Sequence, residues 1–135
     1  MVISTRAEDF YQWLSNIHTP TLKSNIVSMA RIIDVEKSLS GLPVDHSGRA
    51  LFKVVDARIK KNNHLFEIYD SNGKLSVKES KGQAKTTIKI EGLTAILYGT
   101  LNEAQLRRIG WLEGESPRDL FNWFTPATPW LTEDF

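Results

Sequence analysis

The sequence predicts an α+β domain: a mostly antiparallel, five-stranded sheet covered on one face by short helices. Two observations lead there. Between Arg49 and Glu91, apolar and polar residues alternate in short runs divided by turn residues, which is the period of half-buried strands. After Gly92 the period becomes helical and stays so to Phe124. Strands and helices are therefore segregated along the chain rather than interleaved, as they would be in a parallel α/β fold.

The first predicted element is a helix. Thr5 followed by Glu8 is a capping-box pair, each side chain satisfying an amide of the first turn. Phe10, Trp13, Leu14 and Ile17 then fall on one stripe at i, i+3, i+4 and i+7. Thr19-Pro20 ends it, because the residue before a proline is pushed out of the α region. Such a stripe needs a surface to dock on, in this domain or in a neighbour.

Residues 29–35 read as a strand, with Ile32-Ile33 buried on both faces. Residues 36–40 read as a short helix closed by Gly41, and Asp45-His46-Ser47-Gly48 as a turn. Four more strands are predicted over 49–56, 64–69, 74–78 and 86–91. Asn72-Gly73 joins the second and third of these as a tight hairpin, since both central residues of a type I′ turn need positive φ. In the last, Ile88 and Ile90 point one way and Lys89 and Glu91 the other.

Leu93, Ile96 and Leu97 then form a helical stripe ending at Gly99. Leu101, Ala104, Leu106 and Ile109 form another, with Asn102 as cap and Gly110 as stop. Ser116-Pro117 starts a third helix with proline at its first position and Leu120, Phe121, Trp123 and Phe124 on its face. Pro126 and Pro129 keep the last residues from continuing it.

Bulk composition excludes several function classes. A chain of 135 residues makes one domain. Its 17 basic and 16 acidic residues leave a net charge of +1, which creates no long-range attraction to nucleic acid or an anionic membrane. Arg58, Lys60 and Lys61, beside Asn62-Asn63, read as a solvated loop. The absence of cysteine excludes disulfides, thiolate catalysis and cysteine-ligated zinc. No export signal or stretch of roughly 18 apolar residues is present, so the cytoplasm is the expected compartment.

His18, His46 and His64 are not at ligand spacing, so no metal is expected. Neither a nucleophile elbow nor a phosphate loop occurs. Glu113 and Glu115, flanking Gly114, read as a solvated turn. With no self-contained catalytic constellation, the chain reads as part of an enzyme rather than a whole one.

Two features stand out. Tyr98, Trp111, Phe121, Trp123, Phe124 and Trp130 recur through the helical half and could enclose a cavity for an apolar ligand. The sequence also closes on Pro-Trp-Leu-Thr-Glu-Asp-Phe, setting Glu133, Asp134 and the carboxylate of Phe135 among aromatic residues. Burial of that last carboxylate against a neighbour would raise its pKa from about 3.5 toward the strength of a useful base.

One set of segments carries a resemblance. It runs from Met29-Ala30-Arg31-Ile32-Ile33-Asp34-Val35 through Gly48, the strand from Leu51 to Asp56, and Thr87-Ile88-Lys89-Ile90. It continues over Leu93-Thr94-Ala95-Ile96-Leu97-Tyr98-Gly99 and Leu101, Leu106 and Gly110-Trp111-Leu112. In this order they resemble the sterol-carrier-protein-like C-terminal domain of the enhanced-intracellular-survival class of GCN5-related N-acetyltransferases. The resemblance implies that residues 28–135 are that domain and residues 1–27 a linking helix from a missing upstream acetyltransferase domain. It implies no cofactor in this fragment and acetyl-CoA in a homo-oligomeric parent enzyme.

It also implies a role for the tail. The terminal carboxylate of Phe135 would act as general base in the parent, and Asp134 would help hold a cationic amine acceptor. Residues 57–63 depart from the family pattern, which carries a proline and an aromatic before the asparagine. The alternative expectation is a lipid- or sterol-carrier module with an apolar tunnel between sheet and helices. A third is a scaffold that stabilises an oligomer of the parent.

Overall fold

The computed structural model describes residues 30–125. In chain order these form α1 (Val35–Leu39), β1 (Arg49–Val55), a 3-10 turn (Lys60–Asn62), β2 (Leu65–Ser71), β3 (Lys74–Glu79) and β4 (Thr86–Lys89). They continue with α2 (Ile90–Leu97), α3 (Glu103–Arg108), β5 (Leu112–Gly114) and α4 (Arg118–Trp123). The helix expected over 5–17 and the acidic, aromatic tail lie outside the described residues.

The five strands make one sheet in the order β3-β2-β1-β4-β5. The pairs β1–β2, β2–β3 and β4–β5 are antiparallel, but β1 and β4 run parallel. The α+β class and the strand number hold, and the sheet is mixed. Its parallel pair arises because β4 does not follow β3 at the sheet edge but lies beside β1, bringing Ile88 level with Val54. Both side chains are fully buried, so β1 gains an apolar neighbour on each side.

Residues 80–85 make this crossing. The Ser80 amide donates to the Leu65 carbonyl at 2.8 Å, and Gly82 passes over the Leu65 side chain. Leu65 alternates with the buried Phe66, whose face carries the helices. The connection therefore straps the opposite, open face of the sheet.

One expected strand is replaced by another. Over residues 30–34 no strand forms. Ile32 is buried while Ile33 is 66% exposed, and the Ile32 amide donates to Thr94 Oγ1 at 3.2 Å. Asp34 then caps α1, accepting from the Lys37 amide at 3.1 Å, and local capping prevails over β propensity. The fifth strand is instead β5, in the region expected to be a turn, where Leu112 pairs with Ile88 and Gly114 with Thr86. With only three residues, it is too short to show an alternation.

Smaller features follow from the same local chemistry. Asn72 and Gly73 have φ of 57° and 76°, as the I′ hairpin requires. Asn102 and Gln105 form a reciprocal capping box on α3. Pro117 caps α4 rather than occupying its first turn. Helix α2 begins at Ile90, so Gly92 lies inside it, because a Cβ there would meet the Trp111 carbonyl oxygen at 2.9 Å.

The core lies between the helices and one face of the sheet. Val35, Leu39, Leu93, Ile96, Leu106 and Leu120 from the helices meet Phe52, Val54, Ile68, Leu75, Ile88 and Leu112 from the strands. In the stripe around α3 only Leu106 is fully buried, and Ile109 is 45% exposed. Trp111, Phe121, Trp123 and Phe124 pack around the rim of the core, and Tyr98 is exposed.

Gly114 has φ +86°, and a Cβ on it would fall 1.8 Å from the Lys85 carbonyl oxygen. Gly114→Ala must therefore break the β4–β5 pairing and is expected to lower stability by about 3 kcal/mol or more. Urea unfolding of the two proteins measures this.

Candidate functional site: the two anchored ends of the domain

The polar groups of the domain concentrate where the chain comes onto the sheet and where it leaves. The first cluster surrounds Asp56, directly after β1. Its side chain is fully buried, and Arg31 reaches Asp56 Oδ1 at 2.6 Å. The same oxygen accepts from the amides of Arg58 and Ile59 at 2.8 and 3.0 Å, while Asn62 Nδ2 donates to Oδ2 at 2.9 Å.

Asn63 closes the loop from outside, accepting from the Asp56 amide at 2.8 Å and donating to its carbonyl at 2.7 Å. Asn62 Oδ1 in turn accepts from the Val35 amide at 3.3 Å. The side chains of the basic run Arg58, Lys60 and Lys61 are exposed, as expected of a solvated loop, while the loop's backbone amides fold around a carboxylate. Lys61 binds Asp34 at 2.8 Å, and Arg31 also bonds Glu91 at 3.2 Å.

Burial alone would raise the Asp56 pKa. Hydrogen bonds from Asn62 and the amides of Ile59 and Arg58, with the charge of Arg31, hold it below the usual carboxylate value. The sequence offered one signal for this site, an aspartate ending a strand ahead of an Asn-Asn pair, since both residue types satisfy loop amides.

The second cluster anchors α4, from which the C-terminal tail departs. Asp119 Oδ2 accepts from the Arg49 amide at 2.9 Å, and Gly48 leaves room for it, because a Cβ there would lie 2.8 Å from Asp119 Cγ. Trp123 Nε1 donates to the His46 carbonyl at 2.7 Å, and Leu120 is fully buried. Ser116 adds a bond to Glu103 Oε2 at 2.7 Å, tying the loop before α4 to α3.

The two anchors lie at opposite ends of β1, whose seven residues span roughly 20 Å. Beyond Thr125 the tail has ten residues, enough for a reach of up to roughly 35 Å when extended. Asp134 and Phe135, the expected substrate-binding and catalytic residues, belong to this tail and lie outside the described residues.

Two clefts open on the surface. One, of about 520 Å³, lies beside α4 and is lined by Arg49, Leu51, Gln83, Lys85, Glu115, Arg118 and Asp119 among others. Its charged lining is unlike an apolar tunnel. Here the first residues of β1 run past the start of β4, and Lys85 pairs with Glu115 at 2.9 Å. The other, of about 140 Å³, lies at the far end of β1 between Val55, Thr87, Lys89, Gly110, Trp111 and Glu113. Glu67, on the open face, is covered by Lys78 and Arg49 at 3.1 and 2.5 Å. The hydrogen bond from Lys78 leads the interactions that lower its pKa.

Comparison with known proteins decides the family. The family model described as the sterol carrier protein domain matches residues 35–132. The chain belongs to that family. Its fold resembles that of solved GCN5-related N-acetyltransferases. One from Kribbella flavida has a TM-score of 0.67 at 20% identity, covering 78% of this chain and 28% of that one. Another from Anabaena variabilis has a TM-score of 0.59 at 24% identity, covering 73% and 26%.

Eis1 from Mycobacterium abscessus has a TM-score of 0.58 at 21% identity, covering 76% and 26%. The chain thus spans about a quarter of the length of the solved structures it matches. A search of curated proteins gave no significant match. Among the described residues, no helix is long and apolar enough to cross a membrane.

The Asp56 cluster makes a signed prediction. Because the folded pKa is depressed, the unfolded chain binds the proton more tightly, and stability rises with pH across that interval. The contribution is complete at neutral pH and is lost below about pH 4 as protonation proceeds through the folded value. Asp56→Ala leaves Arg31 without its buried partner and is expected to lose about 3 kcal/mol at pH 7. In the same variant the acid limb of the stability curve flattens, which denaturant titrations between pH 3 and pH 7 would measure.

Proposed function

We propose that this chain is the sterol-carrier-like C-terminal domain of a multi-domain N-acetyltransferase and is not active alone. Upstream acetyltransferase domains of the same parent chain bind acetyl-CoA, and this domain completes the pocket for a cationic amine acceptor. In a parent that ends at Phe135, the terminal carboxylate takes a proton from the acceptor amine, and Asp134 holds that amine by charge.

The observation that carries this reading is the anchoring of α4. The chain is fixed through Asp119, Leu120 and Trp123 up to the point where a ten-residue acidic, aromatic tail begins. A tail that must deliver one carboxylate needs such a fixed base, because ordering the tail costs less when fewer residues remain free. The family match and the fold shared with the acetyltransferases supply the context. A lipid-carrier function has less support, because the layer between sheet and helices is filled by Phe52, Ile68, Leu93 and Ile96.

Deleting Phe135 from the full-length parent is expected to lower turnover by roughly 10²- to 10⁴-fold, the usual worth of a general base. Binding of acetyl-CoA should be unchanged by calorimetry. Undiminished turnover in the truncated enzyme would remove the tail from the chemistry. Stoichiometric binding of a fluorescent fatty acid by this chain alone would restore the carrier reading.

A further inference from the structure

The larger cleft, of about 520 Å³, has the usual size of a ligand site and plays no part in the function proposed above. It opens where the sheet is incomplete. The Val54 amide donates to the His64 carbonyl, and the Gly48 carbonyl accepts from the Asp70 amide. Even-numbered residues of β1 therefore turn their main-chain groups toward β2, and odd-numbered ones turn theirs toward β4. Register sets Lys53 level with Thr87, so two more residues at the start of β4 would cover Leu51. The strand begins at Thr86 instead. Among the described residues, no group bonds the Leu51 amide or the Arg49 carbonyl.

These two groups flank Ala50 on one edge. A residue of an added parallel strand, level with Ala50, would donate to the Arg49 carbonyl and accept from the Leu51 amide. Main-chain bonds of this kind are how an extended peptide adds to a sheet edge. Until then both groups bind water, which a peptide replaces with equivalent bonds.

Charge favours an acidic peptide. The lining holds Arg49, Lys85 and Arg118 against Glu115 and Asp119, one positive charge in excess. Both carboxylates are engaged: Asp119 accepts from the Arg49 amide at 2.9 Å, and Glu115 pairs with Lys85 at 2.9 Å. Arg118, exposed at the start of α4, makes no hydrogen bond or ion pair with any described residue. Its guanidinium is the cation left for a carboxylate that enters the cleft.

We propose that this cleft binds an extended acidic peptide segment of another protein. The segment adds as a short parallel strand beside Arg49, Ala50 and Leu51, with a carboxylate at Arg118. This binding needs no acetyltransferase chemistry and can fail or succeed apart from the function proposed above.

The probe is the capped tripeptide acetyl-Val-Glu-Val-amide, titrated into the isotope-labelled 135-residue protein and followed by its amide signals. Saturable shifts are expected at Leu51, Gln83 and Lys85, with the Leu51 proton moving downfield as it gains an acceptor. Glutamine in place of the peptide's glutamate, or Arg118→Gln in the protein, should weaken binding by about 3-fold. A peptide methylated on the glutamate nitrogen cannot donate to the Arg49 carbonyl and should give no saturable shift. The proposal is overturned if the first peptide gives none, if the methylated peptide binds as well, or if neither charge change weakens binding. Sodium acetate that reproduces the shifts at equal concentration would make the cleft a site for a small carboxylate, and this too overturns it.

Discussion

A buried carboxylate is the constraint on which the rest of the domain depends. Asp56 ends the central strand, and its two oxygens collect four donors from three separate stretches of chain. Those bonds close the loop between β1 and β2, set the start of α1 through Asn62, and fasten the incoming chain through Arg31. A charged group in the interior persists only when its lone pairs are satisfied in this way. The cluster therefore fixes a direction of approach as well as a loop.

That direction gives the domain a polarity along β1. The chain comes on at the Asp56 end and leaves from α4, which is tied to the Arg49 end. One face of the sheet is sealed by helices, and the other carries a strap, a covered Glu67 and a small cleft. A domain so arranged has a filled core and its chemical groups at the margins. It is suited to holding two neighbouring segments in fixed relation, as the function proposed above requires. In that proposal the tail supplies the only group that touches a reacting atom.

Much of the fold was legible in the sequence. The hairpin at Asn72-Gly73, the strands around Phe52, Ile68 and Leu75, and the cap at Asn102 each follow from a local rule that the structure obeys. The misreadings share a cause. Residues 30–34 look like a strand by composition, yet Asp34 spends its side chain on capping α1. The strand at Leu112–Gly114 was hidden because three residues carry no period, and its glycine is demanded by the Lys85 carbonyl, in the connection that leads into β4. The site was less legible: Asp56, Asn62 and Arg31 are separated in the chain, and only folding brings them together.

By itself the sequence determined the class of fold and the family resemblance, because side-chain period and turn residues are local properties. Tertiary structure alone decided that β4 lies parallel to β1, that a basic loop encloses a carboxylate, and that the aromatics rim a filled core. Each of those depends on which surfaces meet, and a pairing between distant residues leaves no mark on the period of either segment.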